Sequence, residues 1–278
     1  MWAFLKNIQS NPIYLREQGR WGEPNPYYAA LMRYLPLIII AVLALGIFCG
    51  YGQLISPLLG IGEAASVIVL LVCIPNILVQ ILTWVGLIIA PALTAPAVVE
   101  EVNRGSWEIL RLTPMPILDI IWAKLLGGLS RLRIWWALII LSVVYGLGTG
   151  IGTSLLIYET TDQIAVGWGL LTAIVAVSRP LLEIGFAGLT GLTVSLWTAS
   201  ARAALIATYA LVLLSKLIFS TAAFWGGAAI MMAFSDEAKA FSTGSLAVNT
   251  MYVCFCVVLF FLLRRRTIAF DNGDVLLD

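Results

Sequence analysis

The chain has 278 residues, of which 61% are hydrophobic and only 11% charged, with a mean hydropathy of +0.98. A soluble domain carries roughly a quarter of its residues as charged groups, so this composition excludes a water-covered surface and makes lipid the solvent. The net charge is +1 and there is no histidine, which excludes nucleic acid attracted by a global basic field, histidine-ligated haem or zinc, and histidine general-base catalysis.

The first thirty residues hold Lys6, Arg16, Glu17, Arg20 and Glu23 instead of an unbroken apolar core, so no cleavable signal peptide is expected. Asn11 and Pro12 supply an N-cap and a first helical residue for a short helix through Ile13, Tyr14, Leu15 and Arg16. Gly19, Gly22, Pro24 and Pro26 end it, and Trp21, Tyr27, Tyr28 and Tyr34 with Arg33 suit a helix lying at the headgroups before the chain enters the bilayer.

A hydrocarbon core about 30 Å thick needs about 20 helical residues. By that measure the spans fall near residues 30 to 56, 64 to 90, 133 to 156, 166 to 200, 203 to 225 and 246 to 263. The expected fold is therefore all-α: a single polytopic domain over residues 1–278 with six transmembrane helices. Residues 1–29 form a tail with the interfacial helix, 30–263 a six-helix bundle interrupted by the loop 99–132, and 264–278 a second tail. Cys49, Cys73, Cys254 and Cys256 lie in apolar runs without a metal-binding spacing and read as packed or lipid-facing thiols.

Orientation follows from the basic residues. Lys6, Arg16, Arg20 and Arg33 precede the first span, and Arg104, Arg111, Lys124, Arg131 and Arg133 lie between the second and third. Arg202 sits between the fourth and fifth, and Arg264, Arg265 and Arg266 follow the sixth. The opposite loops hold Glu63, then Glu159 and Asp162, then Asp236 and Glu237 with Lys239. Both termini are expected in the cytoplasm, the setting being an integral protein of a prokaryotic cytoplasmic membrane.

Two spans are too long: a 35-residue apolar helix runs about 50 Å at 1.5 Å per residue. Pro91 and Pro96 mark where the second emerges and continues toward the loop, and Pro180 beside Arg179 marks a kink in the fourth. Between spans five and six, Gly226 and Gly227 precede an apolar stretch ending at Asp236, which predicts a short re-entrant or outer-surface hairpin.

The segment from Glu100 to Lys124, EEVNRGSWEILRLTPMPILDIIWAK, mixes charge with large apolar groups on the cytoplasmic side. Arg104 and Glu108 stand at i and i+4, and Trp107, Ile109, Leu110 and Leu112 supply apolar surface on a short helix ended by Thr113 and Pro114. Such a helix can fill a cleft on a soluble partner.

This segment resembles the first cytoplasmic loop of type-2 ATP-binding-cassette permeases: an acidic residue, a Gly followed by Ser or Thr, a Glu, a Leu-rich turn, a Pro, then a Lys opening the next helix. The matching residues are Glu101, Gly105, Ser106, Glu108, Leu110, Leu112, Pro114 and Lys124. The stretch GFAGLTGLTVSLWTASARAALIATYALVLL and the opening NPIYLRE are also similar to that family. Trp107 departs from it, being bulkier than the small or aliphatic residue expected there, and Gly19 and Gly22 soften the interfacial helix.

The resemblance implies a coupling helix over residues 100 to 114, with Glu101, Arg104, Gly105, Ser106, Trp107, Glu108, Leu110, Leu112 and Pro114 meeting a separate ATPase. It also implies a second permease subunit across the transport path, as a homodimer or heterodimer, and no catalytic site, cofactor or metal on this chain. There is no G-x-x-x-x-G-K-[ST] phosphate loop, so ATP and magnesium are expected on the partner. The alternative is a non-transporting structural or accessory subunit of a larger membrane complex. An ion-coupled transporter would need more buried carboxylates and paired interrupted helices, and an intramembrane hydrolase would need a nucleophile motif that the sequence lacks.

Arg179, Glu183 and Lys216 lie inside apolar runs, where charge is costly and points to function. Measured from the turn near residue 201, Glu183 is about 27 Å deep and Lys216 about 22 Å deep. Neighbouring antiparallel helices can therefore bring Glu183 against both cations, either to fix packing or to line a substrate or gating path. Gly185, Gly188 and Gly191 with Ala187 and Thr190 form a small-residue face suited to close helix packing.

Overall fold

The computed structural model describes residues 13–14, 33, 37, 40, 63–103, 105, 107, 116–130, 134–158, 165–233 and 237–271. Among the described residues there is no strand, and the fold is all-α. The helices are α1 (Glu63–Thr94), α2 (Pro96–Asn103), α3 (Ile117–Ser130), α4 (Ile134–Tyr158), α5 (Ala165–Ser195), α6 (Ala201–Ala233) and α7 (Glu237–Asp271).

Among the described residues five stretches are long and apolar enough to cross a membrane: Pro75–Asn103, Ile134–Ser154, Val166–Ser195, Ala201–Thr221 and Thr243–Ala269. The chain is an integral membrane protein in composition and architecture. The first expected span, 30 to 56, lies outside the described residues except at Arg33, Leu37 and Ile40, each of which is helical.

Pro180, Gly226 and Gly227 do not end their helices. α5 runs through Pro180 as one helix, and α6 runs through Gly226 and Gly227 to Ala233. In lipid each freed backbone group is expensive, so the chain keeps the helical ladder where water would let it break. The hairpin interruption placed at those glycines is absent, and α7 begins at Glu237. At the other end α7 continues through Arg264, Arg265 and Arg266 to Asp271, where a tail was expected.

A true break falls between α1 and α2. The Ala95 N–H donates to the Pro91 carbonyl at 2.8 Å, but Pro96 has no N–H with which to continue the ladder. Pro96 instead opens α2 at a position where its missing donor costs nothing. The backbone N–H groups of Val98 and Val99, orphans of that first turn, both donate to the Ser195 hydroxyl at 3.3 Å. The end of α5 thus caps the start of α2 across the bundle.

The expected loop 99–132 contains α3, which is too short to span and is packed into the protein. Ile117, Ile120, Ile121, Ala123, Lys124, Leu125, Gly127, Gly128 and Leu129 are all buried. Ile117, Ile120, Ile121, Ala123, Leu125 and Leu129 join the main hydrophobic core with Val98 of α2, Ile184, Phe186 and Leu192 of α5, Phe219 of α6 and Tyr252 of α7. Ile13, expected at the headgroups, belongs to the same core, as does Trp107.

Where helices touch most closely they do so through glycine. A Cβ on Gly146 would lie 2.9 Å from the Ala173 carbonyl oxygen, and one on Gly150 would lie 2.8 Å from that of Gly169. These are backbone-to-backbone contacts between α4 and α5, the small-residue packing of membrane helices. On the α5 face singled out from sequence, Gly191 presses on the α1–α2 junction, where its Cβ would meet the Thr94 side chain and lie 3.2 Å from the Ala95 nitrogen. Gly188 faces Leu129 and Leu125 of α3, whereas Gly185 has open space around it.

Candidate functional site

Two regions draw the chemistry-bearing residues together: the α2 end of the bundle and a charged cluster between α5 and α6. In the first, Glu101 is buried and accepts a hydrogen bond from Lys124 Nζ at 3.1 Å. Lys124 also donates to the Ala97 carbonyl at 3.3 Å. The pair is almost solvent-free, with side-chain exposures of 0% for Lys124 and 3% for Glu101. Glu101, expected to face an ATPase, thus turns inward, because two ionised groups removed from water must find each other. Lys124, expected to open the next helix, sits in the middle of α3.

α2 ends at Gly105, whose N–H donates to the Val102 carbonyl at 3.0 Å and whose φ is 69°. This is the left-handed backbone region that glycine enters without a Cβ penalty, and it is how helices commonly stop. The i,i+4 pair expected of Arg104 and Glu108 falls outside the described residues. Past Gly105, Trp107 is helical and buried in the core, which accounts for a residue bulkier than the family pattern: it packs inside its own chain. Asn103 and Gly105 are exposed. Arg104, Ser106, Glu108, Leu110, Leu112 and Pro114 lie outside the described residues.

In the second region Arg179, Glu183 and Lys216 are in contact. Arg179 Nε donates to Glu183 Oε1 at 3.3 Å, and Lys216 Nζ donates to Glu183 Oε2 at 2.5 Å. The carboxylate is 5% exposed, Lys216 19% and Arg179 36%. Lys216 also lies over the Trp84 ring of α1, 4.6 Å from its centroid, a contact that strengthens away from water.

One helical turn along, the same helices present Phe186 and Phe219. These pack with Tyr252 and Phe255 of α7 at ring-centroid distances from 4.7 to 6.5 Å, mostly edge to face. These ring contacts hold α5, α6 and α7 against one another three residues from the ions.

Beside the triad is a cavity of about 90 Å³ lined by α1, α4, α5 and α7, with Arg179 and Glu183 in its wall. Gln80, Thr83, Tyr145, Thr149, Thr172 and Ser245 give it a polar lining. The hydroxyls of Thr83, Thr149 and Thr172 donate to carbonyls of their own helices, those of Val79, Tyr145 and Trp168. Pro180 and Ala176 also line the cavity, and Pro180 lacks the N–H that would have served the Ala176 carbonyl. Below it Asn249 of α7 donates to the Val175 carbonyl at 3.0 Å and the Ser178 hydroxyl at 2.9 Å.

Sequence reasoning missed the Glu101–Lys124 pair, the Ser195 cap, Asn249 and the Gly146/Gly150 contact. Gly146 and Gly150 carry a readable sign, small residues four apart. The partners of Glu101 and Ser195 are set by tertiary packing over 23 and about 97 residues. Comparison of the chain with protein-family models, with curated proteins and with solved structures finds no match.

Proposed function

We propose that this chain is the membrane-spanning permease subunit of an ATP-driven exporter, resembling the type-2 ATP-binding-cassette group. In this reading ATP and magnesium are held by a separate ATPase, and a second permease subunit completes the transport path. The observation that carries the reading is mechanical. α2 continues from the long helix α1, and its first turn is capped by Ser195 of α5. Its acidic residue is tied to α3 through Lys124.

A push at the exposed end of α2 therefore reaches α1, α3 and α5 together. Such a helix suits the conversion of a partner's closure into a rearrangement of the bundle, a two-state element biased by nucleotide. With Glu101 and Trp107 turned inward, contact with the ATPase falls to Asn103, Arg104, Gly105 and the residues from Glu108 to Pro114.

The test begins with purification in mild detergent and mass spectrometry of what accompanies the chain, followed by ATPase and transport assays of the complex. An ATPase subunit is expected, and Glu108→Ala and Leu110→Ala are expected to lower transport at least tenfold while ATP hydrolysis persists. Wild-type coupling in both variants removes the docking surface, and the absence of any ATPase partner removes the exporter reading in favour of an accessory subunit.

A further inference from the structure

We infer that the cavity beside Glu183 is a binding site for one small monovalent anion, a halide or a compact carboxylate. Charge is the first argument. Arg179 and Lys216 carry two positive charges against the single negative charge of Glu183, so the triad keeps one unit of positive charge inside the apolar bundle. Arg179 is 36% and Lys216 19% exposed, so that charge is only partly screened, and an anion entering the cavity beside Arg179 would be drawn to it. A cation would meet the Arg179 guanidinium in the wall and a carboxylate whose oxygens are already engaged.

The lining supplies the second argument. Arg179 uses Nε for Glu183, leaving the terminal nitrogens of its guanidinium as donors at the cavity wall. Gln80 and Ser245 line the same space and can donate an amide and a hydroxyl proton. A guanidinium, an amide and a hydroxyl facing one space match an anion in both charge and hydrogen-bond polarity.

Size is the third. The cavity holds about 90 Å³, where a single water needs about 10–15 Å³ by a comparable measure. It has room for a halide or an acetate-sized group with a few waters serving the threonine oxygens; bulky, strongly hydrated gluconate serves as the reference anion. The site stands whether or not the chain is an exporter, since none of its residues belongs to the α2 end.

The test uses the full chain in nanodiscs of zwitterionic lipid, melted at constant sodium and ionic strength in chloride, bromide, acetate or gluconate. The midpoint is expected to rise by a few degrees in chloride and bromide over gluconate, because a ligand bound only by the folded state stabilises it. A matching rise in acetate assigns a carboxylate to the site as well, and no rise in acetate restricts it to halides. Arg179→Gln should abolish the response, since the remaining pair is neutral, and Glu183→Gln should enlarge it, since two cations remain.

Equal midpoints in all four salts, or an undiminished response in Arg179→Gln, overturn the site. If Arg179→Gln does not fold, wild-type crystals grown in bromide decide: an anomalous peak beside Arg179 upholds the site, and its absence rejects it.

Discussion

Glu183 is the residue on which most of the buried charge depends, since both of its oxygens are engaged by cations from two helices. Glu183→Gln leaves Arg179 and Lys216 facing each other without a counter-charge and should destabilise the chain by about 3–5 kcal/mol. Lys216→Ala leaves the carboxylate with Arg179 and should cost less, about 1–3 kcal/mol. Because the two share one interaction, the double variant should lose less than the sum of the singles. Thermal or denaturant unfolding of the four proteins measures this, and strict additivity would end the pairing argument.

Gly105 makes a second demand at the same scale. Nothing lies within 4 Å of a Cβ built there, yet φ is positive, so Gly105→Ala should cost about 1–2 kcal/mol through backbone strain alone. A neutral result in the same melts would contradict the left-handed turn. The charge triad was legible in the sequence because three ions in apolar runs have few places to go. The inward turn of Glu101 was not legible, because a carboxylate near other charges reads as solvated until its distant lysine is found.

At the scale of elements, the five spans found among the described residues were readable from length and hydropathy, but their ends were not. Proline and glycine end helices in water by exposing backbone groups that water then satisfies, and lipid removes that option. Hence α5 passes Pro180 and α6 passes Gly226, while Pro96 does break the chain because Ser195 stands ready to satisfy the new helix start. α3 escaped notice since 14 residues are too few to span and its flanking arginines made it look like a loop.

The α4–α5 contact gives this scale its prediction. Gly150→Ala would set a Cβ 2.8 Å from the Gly169 carbonyl oxygen, a backbone atom that moves only with its helix. It should destabilise by about 1–3 kcal/mol. Gly152→Ala on the same helix meets nothing within 4 Å and should be neutral or stabilising, by up to about 1 kcal/mol from helix propensity. Equal effects of the two changes in unfolding experiments would show that α4 and α5 are not in backbone contact.

The whole molecule combines an α2 end held by polar ties with a bundle whose interior carries the ions and a cavity. α2 follows α1 and is tied to α5 through Ser195, and both α1 and α5 also line that cavity. The orientation of this assembly rests on the basic residues alone, since hydropathy is blind to direction. Arg202 lies just beyond the α5–α6 turn, and Arg266 of α7 stacks over Trp197 at 5.3 Å, so these two cationic segments share one end of the bundle. In the proposed reading that end is cytoplasmic, as the positive-inside rule would have it.

Asn103 and Ser200 are both exposed and belong to the same end in this topology. In a background with the four native cysteines replaced, Asn103→Cys and Ser200→Cys should react with a membrane-impermeant maleimide in inside-out vesicles and stay unlabelled in intact cells. Labelling of Asn103→Cys from the outside would place α2 beyond the reach of a cytoplasmic ATPase and refute the motor-driven reading. Labelling of the two positions from opposite sides would refute the shared end itself.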